Sequence, residues 1–142
     1  MIETLKIKLL DGLHAHYEWQ CVLEVPIDCS FDDLHQAILN AVGFDHDHLF
    51  EFRISRSYYS GNAQRITCDD NELDKKIIEI LLSKKKGTQL FYMFDYGDSW
   101  LFQISKSRKK PFNEMPNILY PRVLLESGVK PEQYPSWDGG LG

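Results

Sequence analysis

Phe91-Tyr92-Met93-Phe94-Asp95-Tyr96-Gly97-Asp98-Ser99-Trp100-Leu101-Phe102-Gln103-Ile104 reads as two strand-like runs that meet at a turn. Gly97-Asp98 suits a two-residue type II′ hairpin, whose first central residue takes a positive φ that glycine adopts without a steric penalty. That turn sets Tyr96 opposite Ser99, Asp95 opposite Trp100 and Met93 opposite Phe102, and opposed residues share a face. One face then carries Phe91, Met93, Asp95, Trp100, Phe102 and Ile104, and the other Leu90, Tyr92, Phe94, Tyr96, Leu101 and Gln103. Both faces are largely apolar, so the hairpin is expected to lie centrally and to be covered on both sides.

Outward from the hairpin, Leu5 to Leu10 and Tyr17 to Val25 read as strands, with Asp11-Gly12 opening the loop between them. Phe31, Leu34, Ile38, Ala41 and Val42 recur at helical spacing behind Ser30. Asp33, three residues after Ser30, approximates a capping box with Asp in place of Glu, and Gly43 is placed to end that helix in the left-handed conformation. Leu49 to Ile54 alternates as a third strand, and Ser57 to Gln64 reads as a polar loop. Asp69-Asp70-Asn71 precedes a second helical pattern through Leu73, Ile77, Ile80 and Leu81, with Lys84-Lys85-Lys86 and Gly87 at its end. Beyond residue 106 the chain carries prolines and little regular pattern. The order predicts a single α+β domain over residues 1–142, with a mainly antiparallel or mixed sheet of about five strands and two helices packed on one face.

At 142 residues the chain is long enough for a real core, and 43% apolar with 26% charged residues is ordinary globular composition. The net charge of −5 excludes a uniformly basic surface and leaves local basic patches open. No apolar run is long enough to span a bilayer, and Met1 to Leu10 has strand alternation in place of a signal-peptide core. Cys21, Cys29 and Cys68 are scattered without a CxxC pair, which gives no zinc knuckle or disulfide framework and suits a reducing cytoplasm. No dinucleotide, phosphate-loop, HExxH or nucleophile-elbow motif occurs, and no cofactor is expected.

Asp95 stands out on its apolar face, because a carboxylate there needs a partner. Arg122, in Tyr120-Pro121-Arg122, is the expected one, through a bidentate contact. The simpler reading is a structural ion pair or turn cap. The sharper one is a catalytic or ligand-binding acid, with Asp95, Asp98, His48 and Arg122 as the candidate set. Extending the hairpin strands away from their turn brings Lys84, Lys85 and Lys86 toward Lys106, Arg108, Lys109 and Lys110, roughly 20 Å from the acidic turn at about 3.3 Å per residue. Seven of the 16 basic residues would meet at one end, which suits phosphate contacts with nucleic acid, or simply a solvated rim.

Two further clusters carry possible chemistry. Asp45-His46-Asp47-His48 places His46 and His48 on one side of an extended segment, a weak metal-chelating pattern that His14 and His16 repeat; exposed loop histidines are the plainer reading. Arg53, Ser55, Arg56, Ser57, Tyr58, Tyr59 and Arg65 set hydroxyls among arginines, as phosphoryl transfer to DNA would use, although no general base accompanies them. Trp137 to Gly142 reads as a terminal turn and not as a phosphate cradle.

Leu34-His35-Gln36-Ala37-Ile38, Val42-Gly43-Phe44 and His48-Leu49-Phe50-Glu51-Phe52 resemble an LHxxI…GW…HLxxF block. Phe94 to Trp100 resembles a YDFGDxW signature, and Tyr120-Pro121-Arg122, Pro131-Glu132 and Gly139-Gly140 resemble a YPRC…PPED.GG ending. In order and in content these blocks resemble the plasmid pRiA4b ORF-3-like family. The resemblance implies an α+β domain with no assigned activity. It also implies an association with mobile DNA, since some members are labelled resolvase-like and some are joined to DNA-binding domains. The shared positions are His35, His48, Asp95, Gly97, Asp98, Trp100, Arg122, Gly139 and Gly140. Phe102 and Val123 stand where the family usually has His and Cys, the basic WRR of the second strand is missing around Trp19-Gln20-Cys21, and the chain is expected to be short at its C-terminal end.

These readings converge on a cytoplasmic, non-membrane binding module whose partner is nucleic acid or another protein. The alternative is a hydrolase or phosphoryl-transfer enzyme with an Asp/His site, with or without a metal.

Overall fold

The structure is a computed structural model that describes residues 1–58, 61 and 63–135. Its strands are β1 (Ile2–Asp11), β2 (Trp19–Pro26), β3 (Phe50–Ser55), β4 (Gln64–Thr67), β5 (Gln89–Phe94), β6 (Trp100–Lys106) and β7 (Arg122–Gly128). They form one antiparallel sheet in the order β4-β3-β5-β6-β1-β2-β7. Helices α1 (Phe31–Val42) and α2 (Ile77–Ser83) complete the α+β domain, with a short 3-10 turn over Asn71–Asp74.

The sheet has seven strands and not about five. β4 follows directly on the loop after β3, and its four residues carry little pattern of their own. β7 holds Val123, Leu124 and Leu125, three apolar residues in a row with no alternation, and all three are exposed. Its strand conformation comes from pairing with β2, from Trp19 opposite Gly128 to Glu24 opposite Arg122.

The hairpin reverses the chain, but not with a two-residue turn. Phe94 opposes Trp100, Met93 opposes Leu101 and Tyr92 opposes Phe102, so five residues, 95–99, form the connection. Asp95 (φ 64°) and Ser99 (φ 54°) take the left-handed conformation assigned to Gly97, and Ser99 N–H closes the loop on the Asp95 carbonyl at 2.6 Å. Aspartate tolerates this region because its short polar side chain bonds the local backbone. The one-residue change in register moves the side chains of β6 to the other face relative to those of β5. Leu90, Tyr92, Phe94, Trp100, Phe102 and Ile104 now share one face and are all buried. The opposite face is covered only locally, where Tyr58 folds over Phe91 and Leu101.

The inward side chains of β1, β2, β3, β5 and β6 merge with one face of α1 and with Ile77 of α2 into one core. Trp19 and Trp100 are its largest members and are essentially inaccessible. α1 carries the expected capping box, with Ser30 and Asp33 each bonding the other's backbone N–H, and it ends at Gly43 (φ 82°). The second helical pattern is broken. Lys75 and Lys76 are extended between the 3-10 turn and α2, and α2 stops at Ser83, so Gly87 (φ 86°) serves the following turn and not the helix end.

Candidate functional site

Asp95 leaves the hairpin at the end of β5, where its N–H bonds the Leu49 carbonyl at 2.9 Å and so ties the loop to the entry of β3. That tie brings the segment before β3, Asp45 to His48, against the loop. Asp95 Oδ1 accepts the N–H groups of Gly97 (3.0 Å) and Asp98 (3.4 Å), and Oδ2 faces His48 Nε2 at 3.4 Å. Oδ1 is therefore engaged by the loop while Oδ2 lies within ion-pair distance of the imidazole, and the side chain is only 9% exposed.

His48 Nε2 also lies 2.9 Å from the Tyr134 hydroxyl and 3.6 Å from Asp47 Oδ1. Tyr134 donates its hydroxyl proton to Asp47, which leaves the phenol oxygen to accept from His48 Nε2–H. The hydrogen bond from Tyr134 lowers the Asp47 pKa, and the same bond, before all other causes, raises the tyrosine to about 12. Gln133 is buried beside them. Its amide oxygen accepts Asp45 N–H at 2.6 Å, and its amide nitrogen donates to Asp47 Oδ1 at 3.1 Å. The segment before β3, the hairpin loop and residues 133–134 thus form one polar cluster around His48. Gln133 and Tyr134 could not be found from the sequence, since they meet Asp45 and Asp47 across more than eighty residues with no local pattern to mark them.

The expected Asp95–Arg122 partnership is not formed. Arg122 Nε donates to Glu24, whose side chain is 2% exposed, across the β2–β7 pair. The register change explains the difference: Asp95 sits in the loop and not on a strand face, while Glu24 and Arg122 are direct cross-strand partners. Asp98 lies 4.0 Å from His14 Nε2, so the candidate acids and bases divide into His48–Asp95, His14–Asp98 and Arg122–Glu24.

His46 and His48 diverge. His46 Nε2 reaches Asn40 of α1 at 3.1 Å, while His48 turns to Tyr134. The His14 and His16 rings meet edge to face at 6.4 Å. Among the described residues no group of three or more His, Cys, Asp or Glu side chains is arranged to hold a metal ion. His35 is a core residue: its ring stacks on Phe50 at 3.6 Å, its Nδ1 lies 2.5 Å from the Tyr92 hydroxyl, and burial pulls its pKa down to about 4. Burial likewise pushes the free thiols of Cys21 and Cys29 up to about 12, which leaves them protonated and unreactive at neutral pH.

Arg53, Ser55 and Arg65 of the arginine and hydroxyl cluster are spent within the fold. Arg65 forms two hydrogen bonds to Glu51, Arg53 donates to the Tyr58 carbonyl at 2.5 Å and lies over the Tyr58 ring, and Ser55 bonds the Ser57 carbonyl. Tyr59 and residues 136–142, including Gly139 and Gly140, lie outside the described residues.

At the far end of the hairpin, Lys84 and Lys106 line one concavity of about 260 Å³ with Gln89, Gln103 and Ser105. Lys84 Nζ donates to the Thr88 carbonyl at 2.5 Å, Lys106 lies 3.6 Å from Glu3, and Lys109 sits 4.5 Å above the Phe112 ring. Lys85 and Lys86 lie between α2 and β5, and Arg108 and Lys110 follow β6 in the chain; none of the four lines that concavity. Lys6, opposite Ser105 across β1 and β6, adds a cation that the sequence reading did not include.

No helix is long and apolar enough to cross a membrane among the described residues. No curated protein matches the chain. The solved structure of protein MM3350 from Methanosarcina mazei Go1, titled as a protein of unknown function, is similar to it at 22% identity and a TM-score of 0.68, over 88% of this chain and 68% of that one. At that identity the likeness is one of fold. The model of the plasmid pRiA4b ORF-3-like protein family matches residues 4–133. With nearly the whole described chain inside that match, the protein belongs to the plasmid pRiA4b ORF-3-like family.

Proposed function

We propose that the protein is a non-catalytic, cytoplasmic binding module that contacts nucleic acid through the basic end of the β5–β6 hairpin. The observation that carries this reading is the meeting of Lys84 and Lys106 at one concavity whose other lining groups include the Gln89 and Gln103 side chains. Ammonium groups beside amides suit phosphate and sugar oxygens, and such contacts release counterions. The family's description as plasmid pRiA4b ORF-3-like suits a partner of the same class. Fluorescence anisotropy with a labelled DNA or RNA duplex in low salt tests the reading. Affinity is expected to fall steeply with added salt, and to fall further when Lys84, Lys85, Lys86, Lys106, Arg108, Lys109 and Lys110 are changed to Gln. No binding, or binding indifferent to those changes, overturns it.

A second reading, a hydrolase or phosphoryl-transfer enzyme, has one observation in its favour: the 3.4 Å approach of His48 to a nearly buried Asp95, beside the Tyr134 hydroxyl. An imidazole oriented by a carboxylate is a general-base arrangement. Turnover of p-nitrophenyl esters or phosphates that vanishes in His48→Ala supports it, and equal rates in the two proteins remove it.

A further inference from the structure

β7 closes one end of the sheet order, so among the described strands it pairs only with β2 and leaves the other side of its backbone without a strand partner. Beside it runs a groove of about 530 Å³ between α1 and the segment from Tyr120 to Val123. Leu23, Ala37, Ala41 and Val123 supply apolar lining, while Asp28, Asp33, Gln36 and Asn40 supply polar lining. The charge of the groove is one-sided. Asp28 and Asp33 are exposed, and the single cation among the lining residues, Arg122, is already committed to the buried Glu24.

We propose that this groove takes an extended basic peptide, added antiparallel or parallel to β7 as an eighth strand. Three features make the fit. The free edge offers backbone donors and acceptors over seven residues, about 23 Å at 3.3 Å per residue. Val123 opposes Leu23 and so shares its inward face, which places alternate side chains of an added strand beneath the sheet edge, toward Ala37 and Ala41. Lysines that share the inward face with those apolar side chains meet Asp28 and Asp33, which line the same groove, and charge complementarity selects a basic over an acidic strand. The opposite edge lacks these features: β4 has four residues, and its Arg65 is bonded to Glu51. The inference uses a surface separate from the lysine-lined concavity and stands or falls independently of nucleic-acid binding.

The test uses the full chain and a fluorescein-labelled octapeptide in which Val and Lys share the groove-facing positions and Thr fills the positions between them, followed by anisotropy and by backbone hydrogen exchange. Saturable binding is expected, with slowed exchange in Val123 to Ser127. Asp28→Lys with Gln36→Lys, both at exposed positions, is expected to weaken binding at least about tenfold. The same octapeptide N-methylated at alternate amides keeps its charge, loses one set of donors and is expected not to bind. Absence of binding by the parent peptide overturns the proposal. So does equal binding by the N-methylated peptide, which would mark simple attraction to an acidic protein, or protection at β4 in place of β7. If the double variant proves poorly folded, the N-methylated peptide and the exchange pattern on the unaltered chain still decide.

Discussion

Asp95 ties the hairpin loop with one carboxylate oxygen and approaches His48 with the other: Oδ1 accepts the N–H groups of Gly97 and Asp98, and Oδ2 lies 3.4 Å from His48 Nε2. Two substitutions separate these duties. Asn keeps an acceptor oxygen and tolerates φ 64°, losing only the charge. Asp95→Asn is therefore expected to cost about 1 kcal/mol, and Asp95→Ala about 2–3 kcal/mol, since Ala loses the loop cap and is strained in the left-handed region. Urea denaturation checks the order; equal losses would show that the loop cap contributes nothing.

His35 gives a pH signature. Its folded pKa is about 4, against 6.5 for an unburied imidazole, because burial disfavours the charged ring. Between those values the unfolded chain binds a proton that the folded chain does not, so stability falls as pH drops from 6.5 toward 4 and is unaffected by this group above 6.5. The full loss is of order 3 kcal/mol. His35→Gln keeps a partner for the Tyr92 hydroxyl and is expected to flatten that part of the stability–pH curve.

Arg122 neutralises Glu24, a carboxylate 2% exposed. Removing the cation leaves a buried charge without its counterion, which is the costly direction of such a change. Because Arg122 is itself one-third exposed and water can replace part of its contact, Arg122→Ala is expected to cost about 2 kcal/mol. Arg122→Ala with Glu24→Gln is expected to recover part of that loss in thermal denaturation.

Gly128 has φ 86°, and a Cβ there would sit 2.0 Å from the Glu18 carbonyl oxygen. Gly128→Ala is expected to destabilise by more than 3 kcal/mol, or to detach the end of β7 from Trp19. Gly87→Ala is the control. It has a similar φ and no atom within 4 Å of the added methyl, so only the backbone penalty of about 1 kcal/mol applies.

Elements specified by local chemistry were legible in the sequence, and elements specified by distant partners were not. The Ser30–Asp33 box and Gly43 define α1 almost to the residue, because caps act within a single turn. The hairpin was legible as a reversal but not in its register. Phe91, Tyr92, Phe94, Leu101 and Phe102 put apolar side chains on both parities, so the alternation could not choose between pairings, and the left-handed Asp95 and Ser99 lengthened the turn. β7 needed β2 to make it a strand, and Arg122 found Glu24 only through that pairing. In the candidate site, His48 and Asp95 were both named, but Gln133 and Tyr134 come from a remote segment that only the tertiary fold brings in.

The two ends of the sheet are unequal in a way that governs self-association. At one end a four-residue strand bearing Arg65 gives an incoming chain little backbone to grip. At the other, seven residues with Val123, Leu124 and Leu125 exposed offer a full rail. An added strand would use up that rail, and open-ended growth, which needs two sticky ends on every subunit, would stop there.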